Sequence, residues 1–263
     1  MIKLIASDMD GTLLDDEKRL PDDFFETLDG LLERNITFAV ASGRTYSALE
    51  HLFPNEYVNR ISYICDNGAC VVHNGNVISS CVLDRSLYDE LIRFTEQEDG
   101  FQVVACGRKG VYCKNLGKAF IEDVARYYKL HTIVDGFVDI DDEFYKLAIS
   151  DTKGSVVHGK PLLDKIFSGK INVQASGEEW MDVMPFGVSK GKALKSLQQI
   201  LGADCSETMA FGDYFNDADM LALADQSFCM ENGHDEIKKL CRYTAPNNNV
   251  GGVTDCIKRF VLN

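Results

Sequence analysis

The sequence predicts an α/β fold on a parallel sheet, with a smaller α+β unit set into its middle. Three observations predict it. Short apolar runs at 2–7, 36–41 and 207–211 each stop at a turn holding glycine, a hydroxyl or an acid, and each then leads into a helical pattern. The pattern changes character at 83–84 and returns at Pro185-Phe-Gly187. Carboxylates gather at the ends of the apolar runs, where open parallel sheets place their ligand sites.

The first run organises the rest. Residues 2–7 are rich in β-formers and read as a buried strand, and at its carboxyl end stand Asp8, Asp10 and a chain-turning Gly11. Alternate side chains of an extended chain share a face, so Asp8 and Asp10 are expected to point the same way, with Cα atoms roughly 6–7 Å apart. Two such acids repel each other and lose hydration, and a cation relieves both costs. The expectation is a metal-assisted active site.

Composition leaves room for it. The 263 residues make one large domain or two ordinary ones, and 45% hydrophobic with 26% charged residues is a globular balance. A net charge of −14 without a basic run argues against nucleic acid and anionic membrane surfaces as partners. Lys3 and Asp8 interrupt any signal-peptide core, and no apolar stretch approaches the ~18 residues of a membrane span. Nine scattered cysteines with no Cys-x-x-Cys pair predict free thiols in a reducing compartment, the cytoplasm.

The remaining elements follow in order. Pro21-Asp-Asp-Phe starts a helix through about Arg34. Residues 36–41 form a strand that runs into Ser42-Gly43-Arg44 and a helix from about Tyr46, a turn whose exposed N–H groups suit a phosphate. Residues 61–65 form a strand ending in the turn Asp66-Asn67-Gly68-Ala69, and 70–83 read as a hairpin. In the middle block, helices at 86–98 and 117–129 alternate with strands at 101–105 and 111–113. The acidic run 139–143 lacks the glycine and closing glutamate of a calcium loop and is expected to be a solvated turn or helix start. Gly191-Lys192 is no P-loop, because Phe186 stands where the first glycine belongs and Ala193 replaces the required hydroxyl residue. Lys190 is instead a cation at the start of a helix to Leu201. Residues 207–211 form a strand that delivers Gly212-Asp213-Tyr-Phe-Asn216-Asp217 into a helix. Residues 226–230 are a last strand, a helix begins at Asp235, and 250–254 lead into the terminal helix.

These strand ends and helix starts offer Asp8, Asp10, Ser42, Lys190, Asp213 and Asp217. All-oxygen acidic ligands with positions left for water suit Mg²⁺ rather than zinc or copper. Ser42, backbone N–H groups, Arg44 and Lys190 supply an anion site beside it. A hard-ligand metal next to an anion cradle is equipment for phosphoryl transfer.

Asp8-Met-Asp10-Gly-Thr12-Leu, Ala41-Ser42-Gly43-Arg44, Ser189-Lys190-Gly191 and Gly212-Asp213-Tyr-Phe-Asn216-Asp217-Ala-Asp-Met220-Leu resemble the four motifs of the haloacid dehalogenase superfamily. More narrowly they resemble its Cof-type phosphatases, and the resemblance spans the chain. It implies a Rossmann-like core at 1–82 and 186–263, an inserted cap of the C2 type at 83–185, and Mg²⁺-dependent hydrolysis of small phosphorylated metabolites, sugar phosphates or similar, by a monomer or homodimer. It implies that Asp8 is the nucleophile of an aspartyl-phosphate pathway and Asp10 the general acid and base. Asp8, the Asp10 carbonyl and Asp213 would hold the metal, with Asp217 orienting bound water. Ser42, the Gly43 amide, Lys190 and Asn216 would grip the phosphoryl oxygens, with Arg44 beside them. The chain departs from the family pattern at Asp66, where relatives often carry Glu, and in the looser run 247–253. A phosphomutase on the same core is the alternative activity. A receiver domain is about half this length, and a phosphate sensor would lack a catalytic residue.

Overall fold

The computed structural model describes all 263 residues. They form two compact units, Met1–Ser79 with Ser189–Asn263, and Ser80–Val188. In chain order the strands are β1 Leu4–Asp8, β2 Thr37–Ala41, β3 Ser62–Cys65, β4 Cys70–His73 and β5 Asn76–Ser80, then β6 Phe101–Gly107, β7 Val111–Cys113, β8 Thr132–Ile133, β9 Phe144–Asp151, β10 Ile171–Ala175 and β11 Trp180–Pro185. The last three are β12 Thr208–Gly212, β13 Gln226–Met230 and β14 Tyr243–Ala245. No helix is long and apolar enough to cross a membrane.

The first unit is an eight-stranded sheet in the order β14-β13-β12-β1-β2-β3-β4-β5. It is parallel from β14 to β3 and turns antiparallel between β3 and β4. Leu4, Ile5 and Ala6 are fully buried, so β1 tolerates a central place covered on both faces. Its register sets Leu4 opposite Thr37 on one side and Thr208 on the other. From β1 the chain winds one way through β2 and β3. After the second unit it enters the helix Lys190–Leu201 and winds the other way through β12, β13 and β14. The order therefore reverses between β1 and β12, and at such a switch point the carboxyl ends of the strands leave a crevice.

The helix expected from Pro21 begins instead at Phe24. Asp23 makes no side-chain cap. Its carboxylate is committed elsewhere, accepting from Thr254 Oγ1 and Lys258 Nζ, each at 2.8 Å. Only the turn from Phe24 N–H to Pro21 O, at 3.0 Å, precedes the helix.

The second unit is a six-stranded sheet in the order β10-β11-β9-β6-β7-β8, antiparallel except at β7–β8. Alternation along the strands gives it two apolar faces. On one, Tyr88 and Leu91 of the helix Arg85–Gln97 and Leu163 of the helix Lys160–Ile166 meet Val103, Leu147, Ile149 and Val183. On the other, Phe120 and Val124 of the helix Lys118–Tyr127 meet Val104, Cys106, Cys113 and Ala148. The run 139–143 is a turn, and its charges are spent on the β6–β7 hairpin. Asp142 accepts from Lys109 N–H at 2.9 Å and Tyr112 Oη at 3.0 Å, and Glu143 pairs with Arg108 at 2.6 Å.

Candidate active site

Asp8 ends β1 opposite Ala41 and is 6% exposed. There the chain leaves the extended form, with Leu13 N–H donating to Asp8 O at 3.2 Å and Leu14 N–H to Met9 O at 2.8 Å. Gly11 sits in this turn at φ +84°, and a Cβ on it would stand 2.7 Å from Asp213 Oδ2. Glycine is what lets Asp213 approach β1. The turn also corrects one expectation, since a shared face for Asp8 and Asp10 needed extended chain through residue 10. Asp10 instead accepts from Arg44 Nε at 3.0 Å and Nη2 at 2.7 Å, and meets Lys18 Nζ at 2.9 Å. Asp8 gathers with Asp213 and Asp217, whose ligand oxygens all lie within 4.8 Å of one another.

Lys190, fully buried, donates from Nζ to Asp8 Oδ1 at 2.5 Å and to Asp217 Oδ1 at 2.7 Å. The other Asp217 oxygen accepts the N–H groups of Asp213 at 3.0 Å and Tyr214 at 3.2 Å. Asp213 Oδ1 accepts from Thr12 Oγ1 at 3.2 Å. Burial pushes the Asp8 carboxyl well above 3.8; Lys190 opposes the shift and Asp217 and Asp213 reinforce it. Burial, then repulsion from Asp217, lifts Asp213 to about 6. Burial works against the Lys190 ammonium, but Asp217 and Asp8 outweigh it and hold the pKa above its ordinary value. Asp10 is the opposite case. Burial raises it, yet Arg44 and then Lys18 prevail, and its carboxyl lies below the usual range. Three clustered carboxylates against one ammonium are an acid surplus of hard oxygen donors. They fit a hard divalent cation.

The neighbouring strand ends supply hydrogen-bonding groups. Ser42 is 2% exposed; its N–H donates to Ile64 O at 2.8 Å and its Oγ accepts from Arg44 N–H at 3.1 Å. Its carbonyl accepts from Asn67 N–H at 2.9 Å. Asp66 and Asn67 both adopt left-handed backbone, at φ 49° and 52°. The turn they form rests on the helix start, since a Cβ on Gly68 would fall 2.2 Å from Ser189 O. This sets Asn67 against Gly43, whose Cβ position lies 3.1 Å from Asn67 Nδ2, and places Asn216 Nδ2 at 3.5 Å from Asn67 Oδ1.

Of the residues singled out in the sequence, Asp8, Asp213, Asp217 and Lys190 thus form one cluster. Ser42, Gly43 and Asn216 surround Asn67, and Asp10 and Arg44 are bound to each other. Lys18 and Asn232 escaped sequence reasoning, and Thr12 and Asn248 appeared there only inside longer runs, with no role of their own. Asn232 donates to Gly11 O at 2.7 Å, and Asn248 donates to Leu14 O at 3.0 Å. Asn249 adds a bond from Asp16 N–H at 3.0 Å. The 247–252 loop therefore buttresses the turn after β1. Its run of three asparagines was the visible signal; Lys18 carried none.

A family model described as haloacid dehalogenase-like hydrolase matches residues 5–257. The 5-amino-6-(5-phospho-D-ribitylamino)uracil phosphatase of Escherichia coli K12 is 31% identical over 262 residues, 99% of this chain and 96% of that one. The HMP-PP phosphatase of Escherichia fergusonii is 26% identical over 244 residues, 90% of this chain and 87% of that one. The crystal structure of SMU.1108c from Streptococcus mutans UA159 matches with a TM-score of 0.90 at 28% identity and covers 100% of both chains.

Proposed function

The chain belongs to the haloacid dehalogenase-like hydrolases as a Cof-type phosphatase, and from that premise we propose that it hydrolyses small phosphorylated metabolites with Mg²⁺, by way of a phosphoryl group carried on Asp8. One observation carries the reading. Three carboxylates gather within 4.8 Å of one another, and two of them share a single buried lysine, a surplus of acid that structure-building alone does not require.

Each residue then has work to do. Asp8 attacks phosphorus through a carboxylate that Lys190 orients by its Oδ1. Asp8, the Asp10 carbonyl and Asp213 would hold Mg²⁺, with Asp217 orienting its water, and the bound ion would supply the positive charge that lets an anionic ester meet an anionic nucleophile. Asp217 works chiefly through its protein bonds, since both its oxygens accept from Lys190, Asp213 and Tyr214. Ser42, the Gly43 amide, Asn216 and Lys190 hold the phosphoryl oxygens in place. Asp10, kept ionised by Arg44 and Lys18, is ready to take a proton from the attacking water. To donate a proton to the leaving oxygen it must first loosen from Arg44 and take up a proton from solvent. Arg44 thereby serves as a positioning residue for Asp10. In this reading residues 83–185 are the cap that chooses among substrates.

The test is the initial rate of inorganic phosphate release with Mg²⁺ across a panel of phosphorylated metabolites. The substrates named for the two phosphatase relatives head the panel. Release from none of them ends the hydrolase reading. Transfer of the phosphoryl group to another hydroxyl of the substrate, in place of water, makes the protein a mutase.

A further inference from the structure

Asn67 lies among the groups assigned to the phosphoryl oxygens but carries no task in that assignment. It is 5% exposed, and a buried amide costs free energy unless its polar atoms find partners. Three stretches far apart in the chain meet around it. From 42–44, Ser42 O accepts Asn67 N–H and Arg44 O accepts Asp66 N–H, each at 2.9 Å. The Asn67 amide group covers Gly43, where a Cβ would stand 3.1 Å from Nδ2 and 3.5 Å from Oδ1. From the loop after β12, Asn216 Nδ2 donates to Asn67 Oδ1 at 3.5 Å. From the start of the helix Lys190–Leu201, Ser189 O and Lys190 N press on Gly68, where a Cβ would fall 2.2 and 3.1 Å from them.

The backbone accepts strain to hold this place. Asp66 and Asn67 are consecutive non-glycine residues in left-handed geometry, at φ 49° and 52°, and Gly68 follows at φ +102°. Side chains visit that region as single residues, and a strained run persists only where its surroundings fix it. Here two backbone bonds and the packed Gly68 fix it, and they set the Asn67 amide between Gly43 and Asn216. Asn216 itself is half-buried on the short turn Phe215–Asp217. Its amide carries two N–H donors. One turned to Asn67 Oδ1 fixes the plane of the group and leaves the second for an anion.

We propose that Asn67 is a positioning residue of the phosphoryl site, holding the Asn216 amide beside Gly43 so that it meets the bound anion. This rests on the phosphatase reading above and adds to it a residue that is no part of the acid cluster. Loss of that hold shows first in anion affinity, because a gripping N–H that shifts forfeits its charge-assisted bond. Metal affinity belongs to the clustered carboxylates and does not follow.

Glycine adopts a left-handed backbone without strain, so Asn67→Gly removes the amide and spares the turn. Calorimetry on the full-length chain, with Mg²⁺ saturating, reads the affinity for orthovanadate as the oxyanion probe. Asn67→Gly and Asn216→Ala should each weaken it about tenfold. The double variant should also lose about tenfold, far from the roughly hundredfold of independent sites. Mg²⁺ affinity, read without the oxyanion, should stay as in the wild type in Asn67→Gly. Asn67→Asp keeps an acceptor for Asn216, so Asn216→Ala should still cost about tenfold in that background. That step decides the matter if circular dichroism finds Asn67→Gly unfolded. The positioning role alone is overturned by wild-type orthovanadate affinity in Asn67→Gly, by multiplied losses in the double variant, or by Mg²⁺ and orthovanadate weakened alike. An Asn216→Ala step that costs nothing in the Asn67→Asp background overturns it too. A wild type that binds Mg²⁺ but neither binds orthovanadate nor releases phosphate from any ester overturns the phosphatase reading and this role with it.

Discussion

Two lysines are buried in this molecule, and their company differs. Lys146 in the second unit lies 3.0 Å from Asp182 and 6.0 Å from the centre of the Tyr128 ring, joining one ammonium to one carboxylate on adjacent strands β9 and β11. Lys190 in the first unit is bonded to two carboxylates, with a third clustered beside them. Burial is nearly complete in both places. An ammonium and a carboxylate paired across adjacent strands balance each other's charge and hold a sheet together. The acid-rich cluster does not, and two of its carboxyls are driven upward in pKa. The difference separates a pair balanced in charge from a cluster left with a surplus of acid.

The largest break in that comparison comes from Asp8→Asn. It removes the proposed nucleophile with little change of shape, so phosphate release should fall on the order of 10⁴-fold or more while the far-ultraviolet dichroism stays put. Retention of more than a few per cent of the rate would disqualify Asp8. The matching change in the other unit, Lys146→Met, should instead cost stability. Leaving Asp182 buried without that ammonium is worth roughly 3–5 kcal/mol, read as a shift in the urea midpoint, and Lys146→Met with Asp182→Leu should recover most of it. If the single variant melts like the wild type, the pair is not structural.

Mg²⁺ separates the units more gently. Chelation by EDTA should silence hydrolysis, and Ca²⁺, which prefers more ligands at longer distances, should fail to replace Mg²⁺. Saturation at about a hundred times its Kd should stabilise the protein by about 2.7 kcal/mol. Asp213→Asn should erase that gain, and a gain that persists in the variant would place the ion elsewhere.

The smallest effect is on pH. Asp213 releases its proton near 3.8 when unfolded and near about 6 when folded, so its protonated form favours the fold. That contribution is complete below the unfolded value and is lost as pH rises to about 6. In EDTA, the melting temperature of the wild type relative to Asp213→Asn should therefore decline between pH 4 and 7. A flat or rising difference would refute the assignment.

Legibility in the sequence followed distance along the chain. β1, the strand ends and the helix after Ser189 rest on local patterns, and each was visible. Lys190 and its acids were visible as residue types in motif order, although Lys190 and Asp8 are 182 positions apart. What stayed hidden depended on partners that no local pattern names. The Asp10 carboxylate turns to Arg44, 34 positions away, because the turn after Asp8 ends the alternation that would have kept the two acids together. The run 139–143 is the solvated turn its charges suggested, but its pairing with Lys109 and Arg108 appears only in the fold. Lys146 and Asp182 carried no signal in the sequence and meet only because β9 and β11 are neighbours.

The central place of β1 also sets a timetable for synthesis. Leu4 is made about 200 residues before its partner Thr208 on β12. At 5–20 residues per second, one edge of the strand that ends in Asp8 waits on the order of 10–40 s for its neighbour. Meanwhile the Ser80–Val188 unit finds every strand of its own sheet within itself and is free to fold first. The unit that holds the acid cluster is completed after the other, and until then its apolar first strand has an open edge that the nascent chain must shield from other chains.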